Sequence, residues 1–179
     1  TMLEKKSDLK LELTQPALQK EAEEVQQELL KLDQTHLRKI MHISENLAKE
    51  VEAKIKQWGK SKKAPAWLLF SGDVYKGLKA ESLSAEDFAF AQEKVRTLSG
   101  KYGILSPQDG INAYRVELGY RLTVGKNKNL YEFWGDKVAK QIPENEEVIN
   151  LSSEEYIKVL RPYLKKDQII TPRFLQTRA

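Results

Sequence analysis

Apolar residues recur every three or four positions through the first third of the chain. From Gln15 to Asp33, Leu18, Val25, Leu29 and Leu32 fall on one stripe behind Thr14 and Pro16, which predicts an amphipathic helix with proline in its first turn. A second helix is expected almost at once. Leu37, Ile40, Met41, Leu47, Ala48, Val51, Ile55 and Trp58 continue the pattern with a single longer step after Met41, and Gly59 is placed to stop it. The two helices should pair as an antiparallel hairpin.

Beyond the basic connector Lys60 to Pro65 the pattern shortens. Trp67 to Phe70 is apolar and aromatic enough for a buried strand, and Gly72-Asp73 breaks it and launches a short helix through Val74, Tyr75, Leu78 and Lys79. Ser84 with Glu86 and Asp87 marks a helix start, and Phe88, Ala91, Val95 and Leu98 carry that helix to Gly100. Tyr102 to Ser106 and Val116 to Thr123 are expected strands, and Asn129 to Gln141 an expected helix. Glu147 to Leu151 is a further strand, a helix capped by Ser152 or Ser153 runs through Tyr156 and Leu160, and Ile169-Ile170 forms a last strand. There is no internal repeat and no composition break. The expectation is one α+β domain over residues 1–179, opened by a helical hairpin.

Composition narrows the chemistry. The 179 residues contain no cysteine, which excludes disulfides, thiolate metal sites and a cysteine nucleophile, and fits a reducing cytoplasm. The longest apolar run, Ala64 to Phe70, is far short of a membrane span. A net charge of +4 hides segregation: residues 53–63 hold five lysines and no acid, whereas residues 141–155 hold five acids and no base. Basic segments gathered on one face would make a groove for a polyanion; the same blocks also suit pairing with one another across the surface.

The stretch Ser99 to Leu122 uses glycine, tyrosine and arginine where a plain core would use aliphatics. Leu98-Ser99-Gly100-Lys101-Tyr102-Gly103-Ile104 loosely resembles the phosphate-holding hairpin of helix-hairpin-helix elements, although its glycines are spaced too widely. A glycine helix stop before a strand is the plainer and favoured local reading. Tyr114 to Arg121 alternates in period two, placing Arg115, Glu117, Gly119 and Arg121 on one face, either to address phosphate or as a solvated, salt-bridged strand face.

Gly72 to Gly77, with Asp73 and Lys76, occupies a ligand-facing kind of turn but is no P-loop, and Asp73 suits a helix cap as well as a catalytic carboxylate. Gly135-Asp136 sits inside an expected helix, where glycine implies a packing or access reason. His36 and His42 lack metal-pair spacing, and neither a serine-hydrolase elbow nor a dinucleotide fingerprint is present. A carboxylate mechanism through Asp73, Asp109, Glu117 or Asp136 stays open.

These segments together resemble the YaaA-like peroxide-stress proteins of bacteria. The resemblance lies in Met41-His42-Ile43-Ser44 with Leu47-Ala48, in Phe70-Ser71-Gly72-Asp73-Val74-Tyr75-Lys76-Gly77-Leu78 and in Leu98 to Leu105. It continues through Pro107, Asp109, Tyr114 to Gly119, Leu130-Tyr131-Glu132-Phe133-Trp134-Gly135-Asp136 and Val148 to Leu151. It implies a single mixed α/β domain of unusual topology with a helix-hairpin-helix-like element. It further implies a cytoplasmic protein that binds double-stranded or distorted DNA through a basic cleft during peroxide stress and helps to limit free iron. The positions that match with polar or glycine chemistry are Gly72, Asp73, Tyr75, Gly77, Ser99, Gly100, Tyr102, Gly103, Tyr114, Arg115, Glu117, Gly119, Gly135 and Asp136.

On this basis Gly100, Lys101, Tyr102, Gly103, Arg115, Arg121 and Lys76 are the expected nucleic-acid contacts, with the lysines of residues 54–63 lining the same groove. Asp73, Glu117 and Asp136 are the catalytic candidates should the chain act on a nucleobase or small phosphorylated substrate. No cofactor, metal or membrane contact is expected. Against the family pattern the chain also lacks an N-terminal strand and a C-terminal basic segment.

Overall fold

In the computed structural model, which describes residues 2, 5 and 7–175, the first apolar stripe is helix α1 (Gln19–Leu30), burying Ala22, Val25 and Leu29. It starts later than Thr14 would suggest because Thr14 is engaged elsewhere. Its hydroxyl donates to Asp109 Oδ1 at 2.7 Å and its carbonyl accepts from the Gly110 amide at 2.8 Å.

The expected second helix is two helices, α2 (Gln34–Met41) and α3 (Glu45–Gln57). His42 between them takes left-handed backbone (φ 52°), and Ser44 restarts the helix by accepting from the Leu47 amide at 3.3 Å. Asp33 caps α2 in the same way, accepting from His36 N at 2.8 Å. The long step after Met41 is the sequence trace of this break. α3 packs on both α1 and α2, so three helices replace the hairpin of two.

The run Trp67 to Phe70 is not a strand. Strand β1 (Ala64–Pro65) is followed by α4 (Ala66–Leu69), a single fully buried turn. Its first amides are claimed by the facing loop, Ala66 N donating to Asp109 O at 2.9 Å and Trp67 N to Pro107 O at 3.2 Å, which anchors a helical rather than extended course. Helix α5 (Asp73–Leu78) begins where Gly72-Asp73 predicts. Helix α6 (Ala85–Lys94) opens on a complete capping box between Ser84 and Asp87 but stops short of Gly100. Arg96 ends it: Nη1 donates to the carbonyls of Gln92 at 2.9 Å and Val95 at 2.8 Å.

Strands β2 (Thr97–Ser99) and β3 (Gly103–Leu105) form an antiparallel hairpin, pairing Leu98 with Ile104. The Gly100–Gly103 turn therefore joins two strands, not two helices. Strand β4 (Gly110–Ile111) pairs antiparallel with β1. The 116–124 segment keeps its alternation, with Val116, Leu118, Tyr120, Leu122 and Val124 buried and Gly119, Arg121 and Thr123 exposed. Apart from a single bridge between Val124 and Asn127 at its end, it has no strand partner among the described residues, so it is not the expected strand.

Helix α7 (Leu130–Trp134) is capped by Asn129 and ended by Gly135 at φ 46°, splitting the predicted 129–141 helix. A 3-10 turn, Ala139–Gln141, carries what remains. Strand β5 (Val148–Ile149) pairs in parallel with β6 (Ile169–Ile170), with α8 (Glu154–Ile157) between them in sequence. The result is one mixed α+β domain whose strands are short and whose order is set mainly by helix and loop packing. Its main core joins Val25, Leu29, Val51 and Ile55 to Leu118, Leu130, Phe133 and Trp134. Neighbouring clusters form around Tyr102 and Ile111 and around Trp67 and Phe88.

Candidate nucleic-acid interface

The β2–β3 turn is where sequence and structure differ most in meaning. Its glycines are required by protein, not by ligand. A Cβ at Gly100 would stand 2.5 Å from the Val116 carbonyl oxygen, and one at Gly103, at φ +70°, would stand 2.9 Å from the Trp134 ring. Trp134 Nε1 donates to Gly100 O at 3.0 Å, while Ser99 Oγ accepts from Tyr102 N at 2.9 Å and bonds the Tyr114 hydroxyl at 2.6 Å. Gly100, Lys101, Tyr102 and Gly103 are all buried, so the turn does not offer its amides to solvent as a phosphate clamp would.

The consequence falls on Lys101. Its side chain is carried inward and is only 1% exposed, with Nζ donating to Gln26 Oε1 and lying 4.3 Å from the centre of the Trp58 ring. Gln26 is fixed for this by donating its own Nε2 to Ile55 O at 2.7 Å. Burial pushes the amine down to about 7, and among the described residues no carboxylate lines the pocket beside it to hold the charge.

Above the amine is a small pocket of about 10 Å³ between α1, α3 and residues 113–116. Lys54 and Arg115 join Lys101 in its wall, and among the described residues no acidic side chain lines it. Arg115 Nε is buried without a hydrogen-bond partner among the described residues, and its terminal nitrogen lies 3.9 Å from Glu117 Oε1. Three cations around one opening suit an anion.

The remaining candidates are dispersed. Arg121 is exposed, five residues beyond the pocket lining. Asp73, with a side chain 97% exposed, pairs with Lys76 at 2.9 Å, and Asp136 pairs with Lys140 at 2.7 Å. The hydrogen bond from the neighbouring lysine lowers both carboxyls below their ordinary value, the opposite of what a neutral-pH general acid needs. Asp109 is structural, accepting from Thr14 Oγ1 at 2.7 Å and from Ser106 N at 2.8 Å. Gly119 donates its amide to Glu155 Oε1 at 2.9 Å, and a Cβ there would stand 3.2 Å from the same oxygen, so its mid-segment glycine makes room for Glu155. No three His, Cys, Asp or Glu side chains cluster as a metal site among the described residues, and no helix there is long and apolar enough to cross a membrane.

The family described as peroxide stress protein YaaA matches the chain over residues 1–179. The chain belongs to the YaaA family. It is similar to a UPF0246 protein of Salinispora tropica, 41% identical over 165 residues, covering 91% of this chain and 63% of that protein. A UPF0246 protein of Clostridium perfringens is 37% identical over 178 residues, covering 94% of this chain and 70% of the relative. One of Saccharophagus degradans is 39% identical over 175 residues, covering 92% and 68%. The chain thus spans about two thirds of the length of these relatives.

In this YaaA-family chain two pocket residues escaped the sequence reading. Gln26 sits beside Val25 on the buried stripe of α1, and a polar residue on such a stripe marks a buried polar partner. Trp58 reads by its spacing as a helix-packing residue, yet its ring covers Lys101 and its Nε1 donates to the Tyr102 hydroxyl at 2.9 Å.

Proposed function

We propose that this chain is a DNA-binding part of a cytoplasmic peroxide-stress protein, holding the phosphate backbone through the cationic pocket and the basic surface around it. The observation that carries the reading is the meeting of Lys54, Lys101 and Arg115 around one opening with no carboxylate in its wall among the described residues. Arg115 supplies the directional contact, because its buried Nε lacks a partner that a phosphate oxygen would provide. Lys54 belongs to the run of five lysines in residues 53–63, which extends positive charge beyond the pocket.

Arg121 and Lys76 are exposed and available to the same polyanion, while Gly100, Tyr102 and Gly103 act by shaping the buried turn. Double-stranded or distorted DNA is the proposed partner. Shielding DNA from peroxide damage and helping to limit free iron are the proposed consequences, with no iron site assigned to this chain.

Fluorescence anisotropy with labelled duplex and single-stranded oligonucleotides across a salt series tests the reading. Log affinity should fall linearly with log salt, with a slope that counts the phosphates neutralised. A salt-independent affinity, or no binding at about 50 mM salt, where backbone contacts are strong, refutes it.

A further inference from the structure

Phosphate binding leaves one property of the pocket unused. A buried lysine that serves only as a structural cation is normally paired with a carboxylate. Lys101 instead has one neutral oxygen, Gln26 Oε1, and one aromatic face, Trp58. The titratable groups around it are Lys54 of α3 and Arg115 of the 113–116 segment, with the hydroxyls of Tyr102 and Tyr114 nearby. Both hydroxyls are committed, Tyr102 accepting from Trp58 Nε1 and Tyr114 bonded to Ser99, and burial holds both protonated, Tyr102 up to about 12.

We propose that Lys101 is a nucleophilic amine that forms an imine with an aldehyde carried next to a phosphate, the carbonyl entering the pocket and the phosphate resting at its rim on Arg115 and Lys54. The phosphate half of this assignment rests on the function proposed above; the amine half rests on the pocket alone.

Size, polarity and protonation support it. A cavity of about 10 Å³ takes one water-sized group, so it has room for a carbonyl oxygen and none for a sugar ring or a base. Leu29, Val51 and Ile55 give it apolar walls, which disfavour the ammonium form and keep the amine ready to attack. With the amine near 7, about half of the molecules hold it neutral at that pH, against roughly one in three thousand for an ordinary lysine.

The step balances without a further reagent. The lone pair of Nζ adds to the carbonyl carbon, one proton passes from nitrogen to the alkoxide to give a carbinolamine, and the second N–H proton leaves with that hydroxyl as water while the C=N bond forms. Two sources offer such an aldehyde: the ring-opened sugar of an abasic site in a DNA strand, and a free sugar phosphate.

The test is reductive trapping with the full chain and sodium cyanoborohydride at pH 7, read by intact mass and peptide mapping. The probes are a duplex with an abasic site, the same duplex with the tetrahydrofuran analogue that has no aldehyde, and glyceraldehyde 3-phosphate. The expected result is a single reduced adduct on Lys101 with at least one aldehyde probe, none with the tetrahydrofuran duplex, and loss of the adduct in Lys101→Met. Trapping by the abasic duplex assigns the DNA strand as a source, and trapping by glyceraldehyde 3-phosphate assigns the small molecule.

Mapping on the unaltered chain decides the matter even if Lys101→Met fails to fold. Adducts spread over exposed lysines such as Lys60, Lys62 and Lys63 with Lys101 untouched, or no adduct at all, overturn the proposal. Duplex binding measured by anisotropy separates the two readings. Binding without trapping removes the amine and leaves phosphate recognition, whereas trapping of glyceraldehyde 3-phosphate on Lys101 without duplex binding keeps the amine and removes the DNA.

Discussion

Replacing Lys101 with methionine should change how stability depends on pH more than it changes stability itself. Burial brings the amine to about 7 from an ordinary 10.5, so between those values the unfolded chain holds a proton that the folded chain has released. More protons bound to the unfolded state means that stability rises with pH across this window and levels off below it. Each pH unit is worth about 1.4 kcal/mol, giving a ceiling of about 4 kcal/mol between pH 7 and pH 10. The Gln26 oxygen and the Trp58 face favour the charged form, which makes this figure an upper bound.

Methionine has similar length and no charge. It leaves Gln26 Oε1 without its donor, a cost that does not vary with pH. The stability of Lys101→Met minus that of the unaltered chain should therefore be most favourable at pH 7 and fall by about 2–4 kcal/mol by pH 10. Urea unfolding followed by tryptophan fluorescence at pH 7, 8, 9 and 10 measures it, and taking the difference cancels the other titrating groups. A difference that stays flat across the series would show that Lys101 keeps its proton in the folded state and would refute the argument.

Gly103→Ala combines a left-handed backbone with a Cβ 2.9 Å from Trp134 and should cost about 2–4 kcal/mol in urea unfolding. His42→Gly relieves a non-glycine residue at φ 52° and should raise the melting midpoint, by about 1 kcal/mol of stability. Ser84→Ala removes the capping box of α6 and should cost about 1 kcal/mol. Arg115→Ala should weaken duplex binding and reduce the salt slope by about one, read from anisotropy.

The sequence carries the helices best where a cap and a stripe agree. Ser84 with Asp87 locates the start of α6, and Leu18 to Leu29 locates the stripe of α1, because both signals are local. Ends are less legible, since they depend on partners distant in the chain. Thr14 resembles a cap but is taken by Asp109, and α6 stops at a contact made by Arg96 rather than at Gly100.

The apolar run at Trp67 has no period long enough to choose helix over strand, and the loop at residues 107–109 makes that choice. The candidate site was half legible. Lys101 and Arg115 are marked by residue type and do meet, but the glycines beside them, which read locally as a helix stop and by resemblance as nucleic-acid contacts, are set by packing instead. Only the third dimension brings Val116 and Trp134 against Gly100 and Gly103. Asp73 and Asp136 matched the family pattern, yet each is held by its own neighbouring lysine.

The alternating segment after Tyr114 buries its side chains without a strand beside it. Among the described residues the amides of Val116, Leu118 and Leu122 find no protein acceptor, although these three side chains are 4%, 0% and 3% exposed. Depth and protection should therefore part company there. In deuterated buffer these amides should exchange well ahead of those in α1 and α3, while methyl relaxation of the same residues reports a rigid core. Order in this stretch is held by what its side chains touch, so the wall that carries Arg115 is tuned by single core substitutions and has no ladder to re-register it when one of them goes wrong.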